Sequence, residues 1–289
     1  MRQPASSRPK WSSLLRSAER RLGDPVAARW LVEEAAGGQL GQVLGEPATL
    51  RAEELLWSMV ERRLAGEPVQ YVVGHWGFRS LDLLVDRRVL IPRPETEVVV
   101  EVALGELDKQ AVRGPEALAV DLGTGSGAIA LSIAVERPGV EVWATDVSAG
   151  ALAVASANLA GLGARAAGRA RLAQGDWWAA LPSELQGRVA LVVANPPYVA
   201  VDEVASLPRE VAAWEPMEAL VAGESGLEAL SRVLEGATEW LAASGVLVAE
   251  IAPHQAEAAA ALATQAGLVD VSVRPDLAGR ARALVGRHR

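Results

Sequence analysis

Apolar residues in the first part of the chain recur at helical spacing among charged neighbours, in groups that begin near Leu14, Trp30 and Leu55. Such spacing is typical of amphipathic helices. Glycine and proline separate the groups, at Gly23-Asp24-Pro25, Gly37-Gly38 and Gly45-Glu46-Pro47. We therefore predict a small helical bundle over residues 11–68, and we expect residues 1–10 to be disordered.

The pattern then changes to short alternating stretches, with apolar residues at Val72-Val73, at Phe78 and within Leu81–Val85. Alternation of apolar and polar residues is typical of strands with one buried face. We predict that residues 69–95 form a β-hairpin linker between two domains.

From residue 96 onward, strand-like apolar runs alternate with helical stretches. The predicted strands cover residues 117–122, 140–145, the surroundings of Leu172, 189–194, 246–251, 269–273 and 282–285. The predicted helices cover residues 128–135, 149–159, 227–241 and 255–266. This alternation predicts right-handed crossovers. We therefore expect residues 96–289 to form an α/β domain with a mostly parallel seven-stranded sheet and helices on both faces.

The charge balance and the lack of cysteine exclude several classes of function. There are 28 basic and 36 acidic residues, a net charge of −8, which argues against non-specific capture of nucleic acid. Without cysteine the chain has no disulfide, thiol nucleophile or cysteine-bound metal. Its three histidines, His75, His254 and His288, are too far apart in sequence to suggest a metal site.

The chain also lacks the sequence features of membrane insertion and export. No apolar stretch approaches the roughly 20 residues of a membrane span. Residues 1–10 contain no apolar core of a signal peptide. We therefore expect a soluble, cytoplasmic protein with no membrane partner.

The most specific local feature is Asn195-Pro196-Pro197-Tyr198, directly after the predicted strand 189–194. Two prolines fix φ and remove two N–H donors, so the chain must leave the strand there as a stiff loop. Ligands of open α/β sheets bind at this carboxyl edge. The amide, the free carbonyls and the aromatic ring suit a planar group that carries an NH2, such as a nucleobase or a carboxamide. The alternative is a proline-stiffened turn without a ligand.

A glycine-rich turn stands between the predicted strand 117–122 and the helix 128–135. It contains Asp121, Leu122, Gly123, Thr124, Gly125, Ser126 and Gly127. Glycines allow close approach of the backbone and the helix start offers free N–H groups, so we expect a ligand here. The spacing also satisfies a relaxed dinucleotide pattern, so the glycines alone do not separate NAD from other nucleosides.

Carboxylates follow the next two predicted strands. Asp146 lies 23 residues after Gly123, near the offset of about 20 at which a carboxylate meets ribose hydroxyls. Its alternative role is a helix N-cap shared with Ser148. Asp176 is followed by Trp177 and Trp178, and its carboxylate suits an adenine amino group. Because adjacent side chains rarely face the same way, we expect one of the two indoles to pack in the core. Either of them could contact the ligand, and the case for Trp177 rests on its place directly after Asp176.

Together these segments resemble a class I S-adenosylmethionine-dependent methyltransferase. More narrowly, the chain resembles the release-factor glutamine methyltransferase family from about Gly66 to its end. The narrower match rests on Gly66-Glu67-Pro68-Val69-Gln70-Tyr71, Gly77-Phe78, Ile91-Pro92-Arg93-Pro94-Glu95-Thr96-Glu97 and Asp276-Leu277-Ala278-Gly279-Arg280. Two positions depart from the family pattern: Ala252-Pro253 replaces a glycine-containing turn, and Ala281 replaces an acid.

The resemblance implies a Rossmann-like methyltransferase domain, an N-terminal helical domain that recognises the substrate, and S-adenosylmethionine as cofactor, with S-adenosylhomocysteine as product. The residues implied to hold the cofactor are Gly123, Thr124, Gly125, Ser126, Gly127, Asp146, Asp176, Trp177 and Asn195. Those implied to bind the substrate glutamine are Asn195, Pro196, Pro197 and Tyr198, with catalytic roles for Asn195, Pro196 and Tyr198. Arg93 and Glu97 either form a surface helix pair or line a cleft between the domains.

The implied partner is a bacterial class I peptide chain release factor, methylated on the glutamine of its Gly-Gly-Gln motif. A carboxamide nitrogen is a poor nucleophile because its lone pair is delocalised into the carbonyl. We expect the Asn195 side-chain oxygen and the Pro196 carbonyl to accept its two N–H bonds, while Pro197 and Tyr198 wall the amide plane and exclude water. No histidine base is needed, because the methylated nitrogen becomes acidic and loses its proton afterwards.

Four other functions remain open from the residues. A ribosomal protein glutamine would use the same site, and the exocyclic amine of adenine or guanine in nucleic acid fits the same acceptors. The acidic pI counts against direct nucleic-acid binding. A non-catalytic cofactor-binding adaptor is opposed by the intact Asp146 and Asn195. An NAD-dependent oxidoreductase leaves the segment from Asn195 to Tyr198 unexplained.

Overall fold

The computed structural model describes residues 8–110 and 117–289. They divide into two compact units. The first unit comprises the chain up to His75 together with Pro208–Trp214, and the second comprises Trp76–Leu207 and Glu215–Arg289. Within the segment expected to be disordered, residues 1–7 lie outside the described residues, whereas Lys10 forms an isolated antiparallel bridge with Pro47.

Helices form the first unit, as the periodic apolar pattern predicts. They are α1 (Trp11–Leu22), α2 (Pro25–Ala36), α3 (Leu40–Val43), α4 (Leu50–Leu64) and α5 (Val69–Val73). Gly23 and Gly37 end α1 and α2 in the left-handed conformation. The Asp24 carboxylate caps α2 by accepting from two N–H groups of its first turn. The apolar faces of these helices share one core, which includes Leu31 and Leu56.

Helix α5 corrects part of the predicted hairpin linker. The Val72-Val73 pair reads as strand in the sequence, but it belongs to a helical turn. The Arg62 guanidinium donates to the carbonyls of Tyr71 at 2.9 Å and Val72 at 3.0 Å. These bonds satisfy carbonyls that a short helix leaves unpaired, so this contact outweighs the β preference of valine.

The rest of the linker contains the expected two-stranded sheet, β1 (His75–Phe78) and β2 (Leu81–Leu84). Arg79 occupies the turn in the left-handed region, with a φ of 51°. Its guanidinium donates to both carboxylate oxygens of Glu136, at 2.6 and 2.7 Å. This bidentate pair offsets the backbone strain of a non-glycine residue with positive φ.

A seven-stranded sheet forms the centre of the second unit, which confirms the predicted α/β architecture. Its strands are β3 (Ala117–Leu122), β4 (Val140–Asp146), β5 (Ala170–Gln174), β6 (Val189–Ala194), β9 (Leu241–Glu250), β10 (Val269–Pro275) and β11 (Ala281–Arg287). Their order is β10-β11-β9-β6-β3-β4-β5. Strand β11 is antiparallel to both of its neighbours, and all other adjacent pairs are parallel. Strands β7 (Val199–Ala200) and β8 (Val221–Gly223), which we did not predict, form a separate parallel pair.

Helices cover both faces of the main sheet. They are α6 (Pro94–Gln110), α7 (Ala128–Glu136), α8 (Ala149–Leu162), α10 (Glu228–Glu235), α11 (Ala237–Trp240) and α12 (Ala256–Gln265), while α9 (Arg209–Trp214) belongs to the first unit. Alternate residues of each strand enter different cores. Val193 packs with α6 and α7, whereas Val192 packs with α10, α11 and α12. Among the described residues no helix has the length and apolar character needed to cross a bilayer.

One predicted helix is wrong in its extent. The sequence pattern predicts a single helix over residues 227–241, but α10 and α11 are separated at Gly236, and β9 already begins at Leu241. The interruption falls at a glycine, a residue that commonly ends helices, and the Trp178 ring lies against it.

Candidate active site

The loops that follow the parallel strands enclose a cavity of about 650 Å³ within the second unit. Residues after β3, β4, β5 and β6 line it, which is the carboxyl edge expected for ligands of such sheets. Residues from Arg88 to Thr96 and from Pro216 to Ala222 form further parts of its wall.

The glycine-rich turn forms one side of the cavity. Gly123, Thr124, Gly125 and Ser126 line it. The N–H groups of Gly123 and Thr124 donate to the carbonyl of Thr145, at 2.9 and 2.8 Å, and so fix the turn against β4. Gly123 has a φ of 77° and Gly125 a φ of 56°, a conformation that favours glycine. Gly127 lies outside the lining and begins α7 instead.

Asp146 ends β4 and faces the cavity. Its Oδ2 accepts from the N–H of Gly125 at 2.8 Å, and its Oδ1 accepts from the N–H of Ser148 at 2.9 Å. Ser148 itself caps α8, so Asp146 is not the N-cap residue. Burial raises the pKa of Asp146, and the two backbone N–H bonds oppose that rise. Each oxygen keeps a lone pair for a ligand hydroxyl.

Asp121 lies beneath the turn as a fully buried carboxyl. Its Oδ2 accepts from the Thr124 hydroxyl at 2.7 Å and from the N–H of Ala130 at 3.1 Å. Its Oδ1 has no partner among the described residues. Burial raises the pKa of Asp121 to about 7, despite these two bonds. The sequence signal for this residue was its place at the start of the glycine motif.

The two adjacent indoles have separate environments. Trp177 lines the cavity beside Gly123, where a Cβ on Gly123 would lie 3.6 Å from the Trp177 ring. Trp178 instead stacks on Trp240, with ring centroids 5.8 Å apart. Asp176 also lines the cavity, and its carboxylate accepts from the Arg232 guanidinium at 2.7 Å. Both rings are partly buried against the same core. Of the two, only Trp177 lines the cavity.

Asn195 and Pro197 reach the same cavity from the end of β6. Tyr198 lies outside it and lines an adjoining small cavity of about 40 Å³, which Asn195 also lines. Pro196 lines neither cavity. Burial raises the pKa of Tyr198, so its hydroxyl stays protonated.

A polar chain missed in the sequence lies behind Asn195. The Asn195 Nδ2 donates to the Thr96 hydroxyl at 3.3 Å, and that hydroxyl donates to Glu250 Oε2 at 2.7 Å. Burial raises the pKa of Glu250 to about 7, while Thr96 and Arg282 act to lower it. Glu250 ends β9, the strand next to β6. An acid at the end of a neighbouring strand is the signal that could have identified it.

The departure at Ala252-Pro253 builds a support for Tyr198. Gln255 Oε1 accepts from the N–H of Ala252 at 3.3 Å. Its Nε2 donates at 3.0 Å to both the Tyr198 and the Gly226 carbonyls. Gln255 therefore connects this turn to the loop that carries Asn195.

Arg93 and Glu97 have different surroundings. Arg93 lines both cavities and donates to Glu215 at 2.5 Å. Glu97 lies outside both linings and accepts from the N–H of Arg79 at 2.9 Å. The geometry thus assigns Arg93 to Glu215 rather than to a helix pair with Glu97. Glu215 is a buried partner that sequence reasoning missed.

Similar proteins share both units of the chain. A family model described as PrmC N-terminal domain matches residues 10–74, and one described as Methyltransferase small domain matches residues 101–210. A release factor glutamine methyltransferase of Bordetella pertussis is 44% identical over 265 residues, covering 89% of this chain and 94% of that protein. A release factor glutamine methyltransferase of Cereibacter sphaeroides is 43% identical over 244 residues, covering 84% of this chain and 83% of that protein.

Solved structures with the same fold are distant in sequence. A methyltransferase from Pyrococcus furiosus has a TM-score of 0.50 at 18% identity and covers 78% of this chain and 96% of that one. The hMettl16 catalytic domain, solved in complex with an RNA hairpin, has a TM-score of 0.52 at 14% identity and covers 81% of each chain. At such identities these structures support the fold alone.

Proposed function

Because the chain belongs to the release factor glutamine methyltransferase family and is a methyltransferase, we propose that it transfers a methyl group from S-adenosylmethionine to a glutamine of a peptide chain release factor. The acceptor atom is the side-chain amide nitrogen of the Gly-Gly-Gln motif. A release factor substrate would place the enzyme in the cytoplasm.

The residues of the large cavity fit S-adenosylmethionine. Trp177 offers a flat apolar surface for a purine ring, and Asp176 follows the same strand with a carboxylate for its amino group. Asp146 offers free lone pairs for ribose hydroxyls, while the turn from Gly123 to Ser126 allows close approach of the ligand. When bound, the cofactor supplies an electrophilic methyl group on a sulfonium.

The position of Asn195 carries the proposal. Asn195 lines the cavity while its Nδ2 is bound to Thr96, so Oδ1 is the polar atom that it offers to a substrate. The carboxamide of a substrate glutamine needs hydrogen-bond acceptors, because its NH2 group has two N–H donors. Oδ1 would accept one of them and the Pro196 carbonyl the other, which orients the nitrogen lone pair for transfer.

The reaction then depends on positioning more than on a base. The N–C bond forms as the S–C bond breaks. The methylated nitrogen is acidic and loses its proton afterwards, to solvent as the product leaves the cavity. Alignment of two bound reactants can supply on the order of 7–11 kcal/mol. Pro197 and Tyr198 would exclude water from the amide and strengthen its hydrogen bonds.

The first unit is the proposed region of substrate recognition. Support comes from the match of residues 10–74 to the N-terminal family model. The net charge of −8 favours a protein substrate over nucleic acid. The family also favours a release factor over a ribosomal protein.

A three-way transfer experiment tests the proposal. The enzyme is incubated with S-adenosylmethionine labelled in its methyl group and with a release factor, a ribosomal protein fraction, or tRNA and DNA. We expect label in the release factor, and mass spectrometry should place it on the glutamine of the Gly-Gly-Gln motif. A release factor whose glutamine is replaced by asparagine is the matched control and should stay unlabelled. Label confined to the ribosomal or nucleic-acid samples would reject the proposal.

A further inference from the structure

Three side chains from distant parts of the chain form one line of hydrogen bonds that begins at the wall of the cavity. Asn195 follows β6, Thr96 lies in the first turn of α6, and Glu250 ends β9. Nδ2 of Asn195 donates to Oγ1 of Thr96, which donates to Oε2 of Glu250. Thr96 is 4% exposed and Glu250 1% exposed, so water does not compete freely for these bonds.

The direction of these bonds follows from the donor count. A threonine hydroxyl has a single hydrogen, and an ionised carboxylate only accepts. With its hydrogen given to Glu250, Thr96 can meet Asn195 only as an acceptor. The Asn195 amide must therefore turn its NH2 toward Thr96, which leaves Oδ1 for the cavity. If the Asn195 amide were reversed, its NH2 group would face the NH2 group of the substrate, and two donors cannot form a hydrogen bond with each other.

Glu250 is itself fixed on its other side. Its Oε1 lies 3.7 Å from Nη1 of Arg282, whose side chain is 8% exposed. Arg282 stands on β11 and also faces Asp276 at 3.8 Å. Burial raises the pKa of Glu250 to about 7, and the charge of Arg282 opposes that rise. The ionised form, which predominates above about pH 7, is the one that can only accept from Thr96.

We propose that Thr96 and Glu250 are positioning residues that set the orientation of the Asn195 amide and so make its oxygen the acceptor for the substrate. This rests on the proposed function and extends it by two residues that act through Asn195. Thr96 acts through its hydroxyl, and Glu250 acts by forcing the direction of that hydroxyl.

Substitutions of Thr96 test whether its hydroxyl positions the Asn195 amide. Thr96→Val keeps the shape but removes the hydrogen bonds, and it should lower kcat about 10- to 100-fold by misplacing the acceptor. The KM for S-adenosylmethionine and the affinity for S-adenosylhomocysteine should stay unchanged. Thr96→Ser restores the hydroxyl and should restore kcat. If the Thr96→Val protein does not fold, Thr96→Ala, which also lacks the hydroxyl, serves for the same measurement.

Glu250→Gln tests the direction of the hydrogen bonds that join Asn195, Thr96 and residue 250. A glutamine can donate its own NH2 to Thr96, which frees the hydroxyl to donate to Asn195 Oδ1 and reverses the amide. The loss in kcat should match that of Thr96→Val. In the Asn195→Ala background, neither substitution should lower kcat further, because residues that act through one group are not additive.

The outcomes separate the two proposals. Release factor labelled equally well by wild type and by Thr96→Val would overturn the positioning role and leave the function intact. A further loss of kcat in the Asn195→Ala background would also overturn it, because it would show a role independent of Asn195. A wild-type enzyme that labels no release factor would reject the function, and the positioning role with it.

Discussion

Trp178 lies so close to Gly236 that a Cβ on residue 236 would stand 2.4 Å from the indole Nε1. The ring cannot move away easily, because it stacks on Trp240 and donates to the Arg232 carbonyl at 3.2 Å. Gly236 has a φ of −91°, a conformation open to any residue. The glycine is therefore needed for space and not for backbone freedom. The helix predicted over residues 227–241 is interrupted at this glycine.

Gly236→Ala should lower the free energy of unfolding by about 1–3 kcal/mol, the usual range for overpacking. Urea unfolding measures the difference. Gly161→Ala is the matched control, since Gly161 lies in α8 and no described residue outside the backbone of that helix would stand within 4 Å of its Cβ. Helix propensity should make that control more stable by up to about 1 kcal/mol. Equal effects of the two substitutions would show that the Trp178 contact is not tight.

Much of the sheet could be read from the sequence, because its strands are continuous apolar runs bounded by turn residues. Strands β3 and β6 begin and end where the pattern predicts. Failures arise where a distant contact decides the local structure. Val72-Val73 is helical because Arg62 binds its carbonyls, and no periodicity within residues 69–95 shows that.

The candidate site likewise contains residues that the sequence predicted and residues that it missed. Asp146, Trp177 and Asn195 were predicted because each follows a strand, and parallel strands bring their carboxyl ends together. Thr96 and Glu250 were missed because 154 positions separate them. Glu215 was missed for the same reason, since it lies 122 positions from its partner Arg93. Spacing along the chain carries no signal for such pairs.

Alanine substitutions of Trp177 and Trp178 should differ in their effect on ligand binding. Trp177→Ala removes a wall of the cavity, and we expect it to weaken binding of S-adenosylhomocysteine about tenfold. Trp178→Ala removes a partly buried ring that stacks on Trp240, and it should lower the free energy of unfolding by about 1–3 kcal/mol without weakening ligand binding. Titration calorimetry and urea unfolding check the pair. Weaker ligand binding by the Trp178 variant alone would reverse the assignment.

Asn195→Ala removes the acceptor proposed for the substrate amide. It should lower kcat about 10²- to 10³-fold, as expected when one preorganised polar group is lost from a transition state. Binding of S-adenosylhomocysteine should persist, because the turn from Gly123 to Ser126 and Trp177 remain. Single-turnover transfer of labelled methyl to a release factor gives the rate. Wild-type transfer by this variant would exclude the role given to Asn195.

Gly226 supports the loop that carries Asn195. It has a φ of 76°, and a Cβ there would lie 2.6 Å from the Tyr198 carbonyl oxygen and 2.8 Å from Gln255 Nε2. Gly226→Ala should therefore displace the loop and lower kcat about 100-fold, the cost of misplacing reacting groups by about 1 Å.

The control for Gly226 is Gly279→Ala. Gly279 has a φ of 78°, and no atom of the described residues would stand within 4 Å of a Cβ at this position. It shares the backbone strain of about 1–2 kcal/mol but lacks the clash with Tyr198. We expect a loss of stability in both variants and a loss of kcat only at Gly226. Similar kcat values for the two would show that the loop tolerates the extra atom.

Glu250 should make the folded protein less stable as the pH rises. Its pKa is raised from 4.5 to about 7 by burial, so between these values the folded state keeps a proton that the unfolded state has lost. The contribution of Glu250 is then fully present below about pH 4.5 and is lost as the pH rises through about 7. Glu250→Gln cannot titrate, so its stability relative to wild type should increase over this range by an amount on the order of 3 kcal/mol.

Urea unfolding of wild type and Glu250→Gln at several pH values measures this difference. Asp121, whose pKa is also raised to about 7, is present in both proteins and cancels in the comparison. Parallel pH profiles would show that Glu250 titrates near its ordinary value, because Arg282 and Thr96 would then fully offset the effect of its burial on the pKa.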